Sequence, residues 1–329
     1  MIFWSCGTLT VTLYRQDYKK NMLKCKEQAD YWNIPVNIEG EERNMYENFI
    51  LQQFENGKLE GYSWKLENPE KVICIVHGIG EFGGRFDRVA EAFRENNMAV
   101  LAFDLRGHGH SLGKRGHCAP RKDVLSDVST LIEYAKELYP EKKLILYGHS
   151  MGGNIVLDYR SRGRLNGVPA AYIVTAPWVR LVRPVPNALY KVVKLLSRIA
   201  PSFTIGSAVN EADLGNLEKV RPYNDHPLVH NRISALCAVD GFETGRKLES
   251  GSLANNGRAK QIPLLLMHGE KDKICDVTGS RNIAARMKAD GENVEYVEWE
   301  GLYHEIHNGG PQSKGDEVIE KAVKWAQKI

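Results

Sequence analysis

Short, continuous apolar runs recur along the chain and constrain its fold more than any other feature. They occupy Lys71–Val76, Ala99–Phe103, Leu144–Tyr147, Ala171–Thr175 and Leu264–His268. Such runs are typical of strands that are buried on both faces of a sheet. Segments with helical periodicity, Phe86–Asn96 and Val124–Leu138, lie between them. This alternation predicts an α/β fold with a mostly parallel central sheet flanked by helices.

Further elements are predicted at both ends of this alternating region. Phe49–Phe54 and Leu59–Leu66 are predicted as strands, and the intervening Glu55-Asn56-Gly57-Lys58 contains Asn-Gly, a strong hairpin signal. Val294–Trp299 is predicted as one more strand and Asp316–Gln327 as a closing amphipathic helix. The predicted core therefore runs from the hairpin to the last helix.

The pattern divides the chain into three parts. Residues 1–45 are polar and irregular and are predicted to be an N-terminal extension, with a helix around Asn21–Tyr31. Residues 46–176 and 262–329 are predicted to form the α/β core. Residues 177–261 contain no buried-strand run, and we expect several short helices and loops there. Because this stretch is too long for an ordinary loop, we interpret it as a cap inserted after the sixth strand.

One cap segment, Asn187–Ala200, is strongly amphipathic. Its apolar face consists of Leu189, Val192, Val193, Leu196 and Ile199. Three basic residues lie among these apolar residues in the sequence: Lys191, Lys194 and Arg198. The segment is either a helix packed on the core or a lid face that meets lipid or lines an acyl channel. The second interpretation predicts peripheral membrane contact through the cap.

Composition and charge exclude several classes of protein. With 43% hydrophobic and 26% charged residues, the chain is neither disordered, nor collagen-like, nor a small disulfide scaffold. The 44 Lys and Arg residues exceed the 41 Asp and Glu residues by only three. A nucleic-acid-binding protein would carry a far more basic face. We therefore expect no nucleic-acid partner, and the sequence carries no signal for an oligomeric state.

The cysteines and the N-terminus indicate the compartment. The six cysteines form no Cys-x-x-Cys pair and have no zinc-like spacing from a histidine, which favours a reducing environment. The N-terminal MIFWSCGTLTVTLYRQ lacks the basic start of a signal peptide. An upstream extension or a misassigned start, with Met22 or Met45 as the true beginning, explains these residues at least as well. From the missing export signal and the cysteine usage we expect a cytoplasmic protein. No stretch reaches the roughly 18 apolar residues of a membrane span.

The most informative motif is Gly148-His149-Ser150-Met151-Gly152. It follows a buried run and leads into a helical segment, which is the setting of a nucleophile elbow. The five-residue pattern alone is weak, because it arises by chance, and a structural Ser-Gly turn is the alternative. The strand–turn–helix context makes Ser150 the candidate nucleophile.

A serine nucleophile needs a base and an orienting acid, which follow in the order Ser, Asp, His in this fold. Asp272 comes directly after the last buried run, and His304 follows the next predicted strand. Catalytic groups gather at the carboxyl ends of strands in open α/β sheets, so these two are the natural partners. Glu270 and Asp276 remain rivals for the acid, and His307 for the base.

An oxyanion hole needs two backbone N–H groups directed at the developing charge. Met151, the residue after the nucleophile, is predicted to supply one. The other is expected from the loop His77-Gly78-Ile79-Gly80 after the third strand. Ile79 is the predicted donor, because the glycines on either side permit an unusual backbone turn.

These residues identify a resemblance. From about residue 49 to residue 329 the chain resembles the monoacylglycerol lipase and lysophospholipase group of α/β-hydrolases. The matching stretches are His77-Gly78-Ile79-Gly80-Glu81, Phe103–Ser111 (FDLRGHGHS), Gly148–Gly153, Asp272–Asp276 (DKICD) and Tyr303–His307 (YHEIH). The cap matches poorly, and residues 1–45 lie outside the resemblance.

The resemblance implies further substrate-binding residues. Glu81, Arg85 and His307 match positions that line the polar glycerol end of the site in the group. A salt bridge between Glu81 and Arg85 that only orders their loop is the alternative. Cys275 matches a cysteine near the site. Ile79 departs from the group, since the members selective for monoacylglycerol carry a small residue there, and its side chain is expected to narrow the acyl side.

The sequence thus predicts a carboxylic ester hydrolase that requires no cofactor or metal and acts through an acyl-enzyme. The preferred substrate is a single-chain lipid, a monoacylglycerol or lysophospholipid. A carboxylesterase acting on short-chain or aromatic esters is the alternative. A serine peptidase, and a non-catalytic binding protein that retains the triad, are less favoured hypotheses.

Overall fold

In a computed structural model, which describes residues 46–207, 209–215, 226–253, 256–309 and 314–329, eight strands form one sheet. They are β1 (Glu47–Phe54), β2 (Gly57–Trp64), β3 (Lys71–Val76), β4 (Met98–Phe103), β5 (Lys143–His149), β6 (Ala171–Thr175), β9 (Leu264–Gly269) and β10 (Val294–Trp299). Their order across the sheet is β1-β2-β4-β3-β5-β6-β9-β10. All pairs from β4 to β10 are parallel, whereas β1–β2 and β2–β4 are antiparallel. The predicted mostly parallel α/β fold is confirmed.

The N-terminal hairpin is tighter than predicted. Phe54 pairs with Gly57, so only Glu55 and Asn56 lie in the turn. Gly57 adopts a φ of 148°, and a Cβ on it would lie 2.8 Å from the Cβ of Leu112. Glycine therefore allows the second strand to begin two residues earlier than its apolar pattern indicates.

Five helices flank the sheet. They are α1 (Asp87–Glu95), α2 (Arg121–Leu138), α3 (Met151–Arg162), α7 (Val277–Ala289) and α8 (Lys314–Gln327), and a 3₁₀ turn, Gly83–Phe86, precedes α1. The sequence patterns did not predict α7. Its buried face includes the small residues Gly279, Ser280 and Ala284, which leave only a weak apolar period.

The segment between β6 and β9 contains longer elements than expected. Helices α4 (Asn187–Ile199) and α6 (Ala235–Ser250) pack against each other, and α5 (Glu211–Leu214) is a single turn. Strands β7 (Thr204–Gly206) and β8 (Arg232–Ser234) form a small antiparallel sheet. The amphipathic segment Asn187–Ala200 is the helix α4, whereas the 16-residue α6 and the two strands differ from the short helices and loops expected elsewhere. Caps at Ser234 and Gly251 define α6, although its sequence has little apolar periodicity.

The chain divides into two units at Met45, and the described residues belong to the second, Tyr46–Ile329. The helix expected around Asn21–Tyr31, like the whole predicted extension 1–45, lies outside the described residues. The predicted boundaries 46–176, 177–261 and 262–329 remain a prediction. Among the described helices none is both long and apolar enough to cross a membrane.

The sheet determines where chemistry can occur. Strands β5 and β9 both lie in the parallel part of the sheet and are separated only by β6. Their carboxyl ends are consequently at the same edge, where ligand sites of open α/β sheets form. Ser150 follows β5 and Asp272 follows β9, so the fold brings two predicted site residues to one edge.

Candidate active site

Ser150 occupies a strained turn between β5 and α3. Its φ is 54° and its ψ is −117°, a conformation that costs free energy for any residue with a side chain. The turn also requires very close backbone approach. A Cβ on Gly148 would lie 2.5 Å from the Gly152 carbonyl oxygen, and one on Gly152 would lie 2.0 Å from the carbonyl oxygen of Val76. Both flanking glycines are therefore required by the packing of the elbow.

Ser150, His304 and Asp272 form one hydrogen-bonded chain. The Ser150 hydroxyl donates to His304 Nε2 across 2.8 Å, and His304 Nδ1 donates to Asp272 Oδ2 across 2.7 Å. All three side chains are buried. Ser150 and His304 are 154 residues apart in sequence, so the fold alone creates this contact. The arrangement is that of a nucleophile, a general base and the carboxylate that orients the base.

The two rival acids have other partners. Asp276 caps α7, because its carboxylate accepts hydrogen bonds from the backbone N–H and the hydroxyl of Thr278. Glu270 accepts a hydrogen bond from the backbone N–H of Gly301. Asp272, by contrast, touches the imidazole of His304. Its Oδ1 accepts from the backbone N–H groups of Ile274 and Cys275, which anchors that oxygen.

Electrostatics favour an ionised acid beside a basic imidazole. Burial alone would raise the pKa of Asp272, but the neighbouring His304 and its hydrogen bonds lower that pKa below its ordinary value. Burial alone would lower the pKa of His304, but the Asp272 carboxylate raises it above the usual 6.5. A carboxylate in this position can stabilise an imidazolium at His304.

The two predicted oxyanion donors lie at the start of α3 and on the loop after β3, both beside Ser150. Met151 is the first residue of α3, where N–H groups have no partner within the helix. Ile79 follows Gly78, and a Cβ on Gly78 would lie 3.1 Å from the Cβ of Ser150. The loop with Ile79 thus passes directly beside the nucleophile, as an oxyanion donor requires.

Glu81 and Arg85 belong to a buried network that also contains Glu305. Arg85 Nη1 is 3.0 Å from Glu81 Oε2 and 2.6 Å from Glu305 Oε1, and its Nη2 is 3.0 Å from Glu305 Oε2. Glu81 Oε1 accepts a hydrogen bond from the backbone N–H of Gly78. Burial raises the pKa of Glu81 to about 7, whereas Arg85 keeps that of Glu305 below its usual value despite burial. The Glu81–Arg85 salt bridge is present, and it orders the loop beside Ser150.

His307 lies in the same wall of the site but does not contact the triad through a hydrogen bond. Its ring stacks on Phe86 at a centroid distance of 5.2 Å and lies 4.8 Å from the ring of His149. Burial lowers the pKa of His307 to about 3. Its buried Nδ1 has no hydrogen-bond partner among the described residues. A neutral imidazole with one unsatisfied nitrogen is suited to bind a hydroxyl group.

Cys275 is buried next to the nucleophile. Its backbone N–H donates a hydrogen bond to Asp272 Oδ1. Burial, reinforced by the charge of Asp272, raises the pKa of the thiol well above its usual range. Cys275 is therefore a neutral wall residue, because a reactive cysteine needs a lowered pKa.

Sequence patterns missed three residues that complete the site. Glu305 engages Arg85, His149 packs against His304 at a centroid distance of 5.0 Å, and His268 contacts Asp272. His149 and Glu305 lie within the matching motifs and His268 ends an apolar run, and these positions were the available signals. No group of three or more His, Cys, Asp or Glu side chains in the described ranges could hold a metal ion.

Known proteins are similar to this chain in architecture and in sequence. Residues 67–310 match the family described as "Serine aminopeptidase, S33". A monoacylglycerol lipase of Mycolicibacterium smegmatis is 32% identical over 259 residues, which cover 78% of this chain and 88% of that protein. Phospholipase YtpA of Bacillus subtilis is 30% identical over 252 residues, covering 75% and 92% respectively.

A solved structure agrees with these sequence relatives. The crystal structure of Paleococcus ferrophilus monoacylglycerol lipase superposes with a TM-score of 0.70 at 28% sequence identity, covering 81% of this chain and 97% of that one. The resemblance noted from the motifs is confirmed. Fold and sequence together show that the chain belongs to the serine aminopeptidase S33 family of α/β-hydrolases.

Proposed function

We propose that the protein is a serine ester hydrolase that cleaves single-chain lipid esters, a monoacylglycerol or a lysophospholipid. The hydrogen-bonded chain from Ser150 through His304 to Asp272 is the observation that carries the proposal. It assigns Ser150 as nucleophile, His304 as general base and acid, and Asp272 as the group that orients His304.

The reaction runs in two halves. His304 Nε2 takes the Ser150 proton as Oγ attacks the ester carbonyl, and the oxyanion accepts hydrogen bonds from the N–H groups of Ile79 and Met151. The C–O bond to the alcohol then breaks, and the alcohol leaves with the proton from His304. Water, deprotonated by His304, attacks the acyl-enzyme and releases the fatty acid while Ser150 regains its proton.

Three observations support a lipid ester as substrate. Relatives at 30% identity or more are named for monoacylglycerol lipase and phospholipase activity. The amphipathic α4 supplies apolar surface between β6 and β9. His307, with its unsatisfied Nδ1, and Glu81 provide polar groups in the wall beside Ser150, which suits an amphiphile with a hydroxylated end.

A carboxylesterase acting on short-chain or aromatic esters is the second candidate. Arg85 is paired with both Glu81 and Glu305, so these charged groups already neutralise one another. A site of this kind does not require a polar group on the substrate. Peptidase activity, which the family description suggests, uses the same machinery. Substituting Glu81 and His307 separates the lipid hydrolase from the carboxylesterase. Activity should fall selectively on glycerol esters only if these residues bind the glycerol group.

Peripheral membrane contact through the cap belongs to the same proposal. Helix α4 divides its apolar residues: Val193 is buried and Leu196 is half-buried, whereas Leu195 and Ile199 are exposed by 58% and 70%. One side of α4 packs against α6, and its other side leaves apolar residues exposed. Exposed apolar residues flanked by Lys191 and Arg198 suit a lipid surface.

The decisive experiment compares kcat/KM for a long-chain monoacylglycerol with that for p-nitrophenyl butyrate, using Ser150→Ala as the blank. We expect a clear preference for the monoacylglycerol. A preference for the short ester would leave the triad intact and contradict the lipid assignment. Failure of a fluorophosphonate to label Ser150 in the unmodified enzyme would contradict the hydrolase itself.

A further inference from the structure

A second imidazole, that of His268, contacts the same oxygen of the triad acid as His304 does. His268, in β9, has its Nε2 3.0 Å from Asp272 Oδ2 and 3.1 Å from the carbonyl oxygen of Cys275. Its Nδ1 is 2.7 Å from the hydroxyl of Ser280 in α7. The side chains of His268 and Asp272 are both fully buried. Nothing in the triad mechanism itself requires this histidine.

The neighbours of His268 fix its tautomer. A carboxylate oxygen and a carbonyl oxygen both face Nε2, and each can only accept a hydrogen bond. Nε2 therefore carries the hydrogen and shares it between Asp272 and Cys275. Nδ1 can then accept from the Ser280 hydroxyl. In this state His268 is a donor directed at the same carboxylate oxygen that His304 uses.

Asp272 is consequently held by four donors. Its Oδ1 accepts from the N–H groups of Ile274 and Cys275, and its Oδ2 accepts from His304 and His268. The Oδ1 contacts anchor one oxygen but leave the carboxylate able to pivot around it. His304 Nδ1 keeps its hydrogen throughout turnover, because the proton is gained and lost at Nε2. His268 is the side-chain donor to Oδ2 that takes no part in proton transfer.

We propose that His268 is a positioning residue, which holds Asp272 Oδ2 in the plane where it accepts the hydrogen bond from His304 Nδ1. The inference rests on the proposed ester hydrolysis and deepens it. Without the second donor, Oδ2 swings away from His304, and the carboxylate supports the imidazolium less well. A displacement of about 1 Å at a triad costs up to about 100-fold in rate.

Other charged groups face this cluster and must be kept unchanged. Glu298 of β10 is in register with His268, and its carboxylate pairs with Arg281 of α7. On the remaining sides His268 meets the Cys275 carbonyl, Ser280 and Asp272. Substitutions should therefore change the reach of residue 268 toward Asp272 without adding charge.

Two amides of different length make a matched pair. In His268→Gln the side-chain amide extends to the position of Nε2 and can still donate to Asp272. In His268→Asn it reaches only the position of Nδ1, where it can meet Ser280 but not Asp272. Both variants keep a polar group in the same buried space, so a difference between them reports reach rather than polarity.

The measurements are kcat, KM and the acidic limb of kcat/KM against pH on p-nitrophenyl butyrate. Rates are normalised to the fraction of enzyme that a fluorophosphonate labels, which removes misfolded protein from the comparison. We expect His268→Asn to lower kcat about 10- to 100-fold with KM changed less than about twofold. Its acidic limb moves to lower pH, because the weakened carboxylate no longer raises the pKa of His304 as far. His268→Gln stays within about threefold of the unmodified enzyme.

Equal normalised kcat and an identical acidic limb in the two variants would overturn the proposal. A loss in both that follows the labelled fraction would also overturn it, since His268 would then serve folding alone. The proposed function fails separately, when the unmodified enzyme is neither labelled at Ser150 nor active on esters.

Discussion

The guanidinium of Arg85 forms a bidentate pair with the carboxylate of Glu305, 220 residues away in sequence, with Nη–Oε distances of 2.6 and 3.0 Å. Glu81 takes the remaining face of Arg85 at 3.0 Å. All three side chains are almost entirely buried. This network connects the loop beside Ser150 to the segment that carries His304.

Replacing the shared cation tests the network. Arg85→Met leaves two buried carboxylates facing each other, and we expect the free energy of unfolding to fall by about 3–5 kcal/mol. Urea denaturation followed by circular dichroism measures the change. Arg164→Met is the control, because Arg164 and Glu133 form an exposed pair worth less than about 1 kcal/mol. Equal losses in both variants would contradict a structural role for the network.

The raised pKa of Glu81 predicts a pH-dependent stability. A carboxyl group with a pKa of about 7 when folded and 4.5 as its ordinary value binds more protons in the folded state between those limits. Its stabilising effect is therefore complete at low pH and is lost as the pH rises through 7. Glu81→Gln mimics the protonated form, so its stability advantage over the unmodified enzyme should grow between pH 5 and 8.

Comparing the two proteins cancels the titration of the other buried groups. The expected growth in the difference is on the order of 1–3 kcal/mol, and urea denaturation at several pH values measures it. A constant difference across the range would mean that Glu81 keeps its charge throughout.

The strained backbone at Ser150 predicts that the residue required for activity lowers the stability of the fold. We expect Ser150→Ala and Ser150→Gly both to lose on the order of 10⁶-fold in kcat, by analogy with other serine hydrolases. Glycine relieves the φ of 54°, so Ser150→Gly should unfold about 1 kcal/mol less readily than Ser150→Ala. Thermal denaturation of the two inactive variants shows which of them is more stable. A less stable glycine variant would show that the turn stores no strain.

The strands were predictable because burial on both faces leaves a local mark. The runs in β3, β4, β5, β6 and β9 are apolar almost throughout, and each is buried along nearly its whole length. Helix α7 left no such mark, because small side chains such as Gly279 and Ser280 are enough to pack it on the sheet. The sequence pattern therefore predicted the strands that are buried through apolar side chains. It missed the helix that packs on the sheet through small side chains.

The same distinction applies to the site. Ser150, Asp272 and His304 follow strand ends in motifs, and the structure brings them together as the spacing predicts. Glu305 was missed because its partner Arg85 lies 220 residues away, and no local sequence pattern indicates a salt bridge over that separation. His268 was taken as the last residue of an apolar run, and only the tertiary structure shows its contact with Asp272.

The ion pair between His304 and Asp272 predicts the pH dependence of activity. Asp272 raises the pKa of His304, and only the neutral imidazole can accept the Ser150 proton, so activity falls as the pH drops through that pKa. Asp272→Asn should lower kcat on the order of 10⁴-fold and move the acidic limb of kcat/KM to lower pH. Asp276→Asn is the control, since Asp276 caps α7 and should leave that limb unchanged. An unmoved limb in Asp272→Asn would contradict the assignment of the acid.

The exposed side of α4 predicts binding to lipid surfaces. Leu195→Glu places a charge on that side, whereas Leu138→Glu places one on an exposed leucine at the end of α2. Sedimentation with phosphatidylcholine vesicles, with and without anionic lipid, measures the bound fraction. Burial of one leucine contributes about 1.5–3 kcal/mol, so Leu195→Glu should weaken partitioning on the order of tenfold or more. Leu138→Glu should sediment like the unmodified protein. Equal sedimentation of all three proteins would mean that α4 does not bind the vesicle surface.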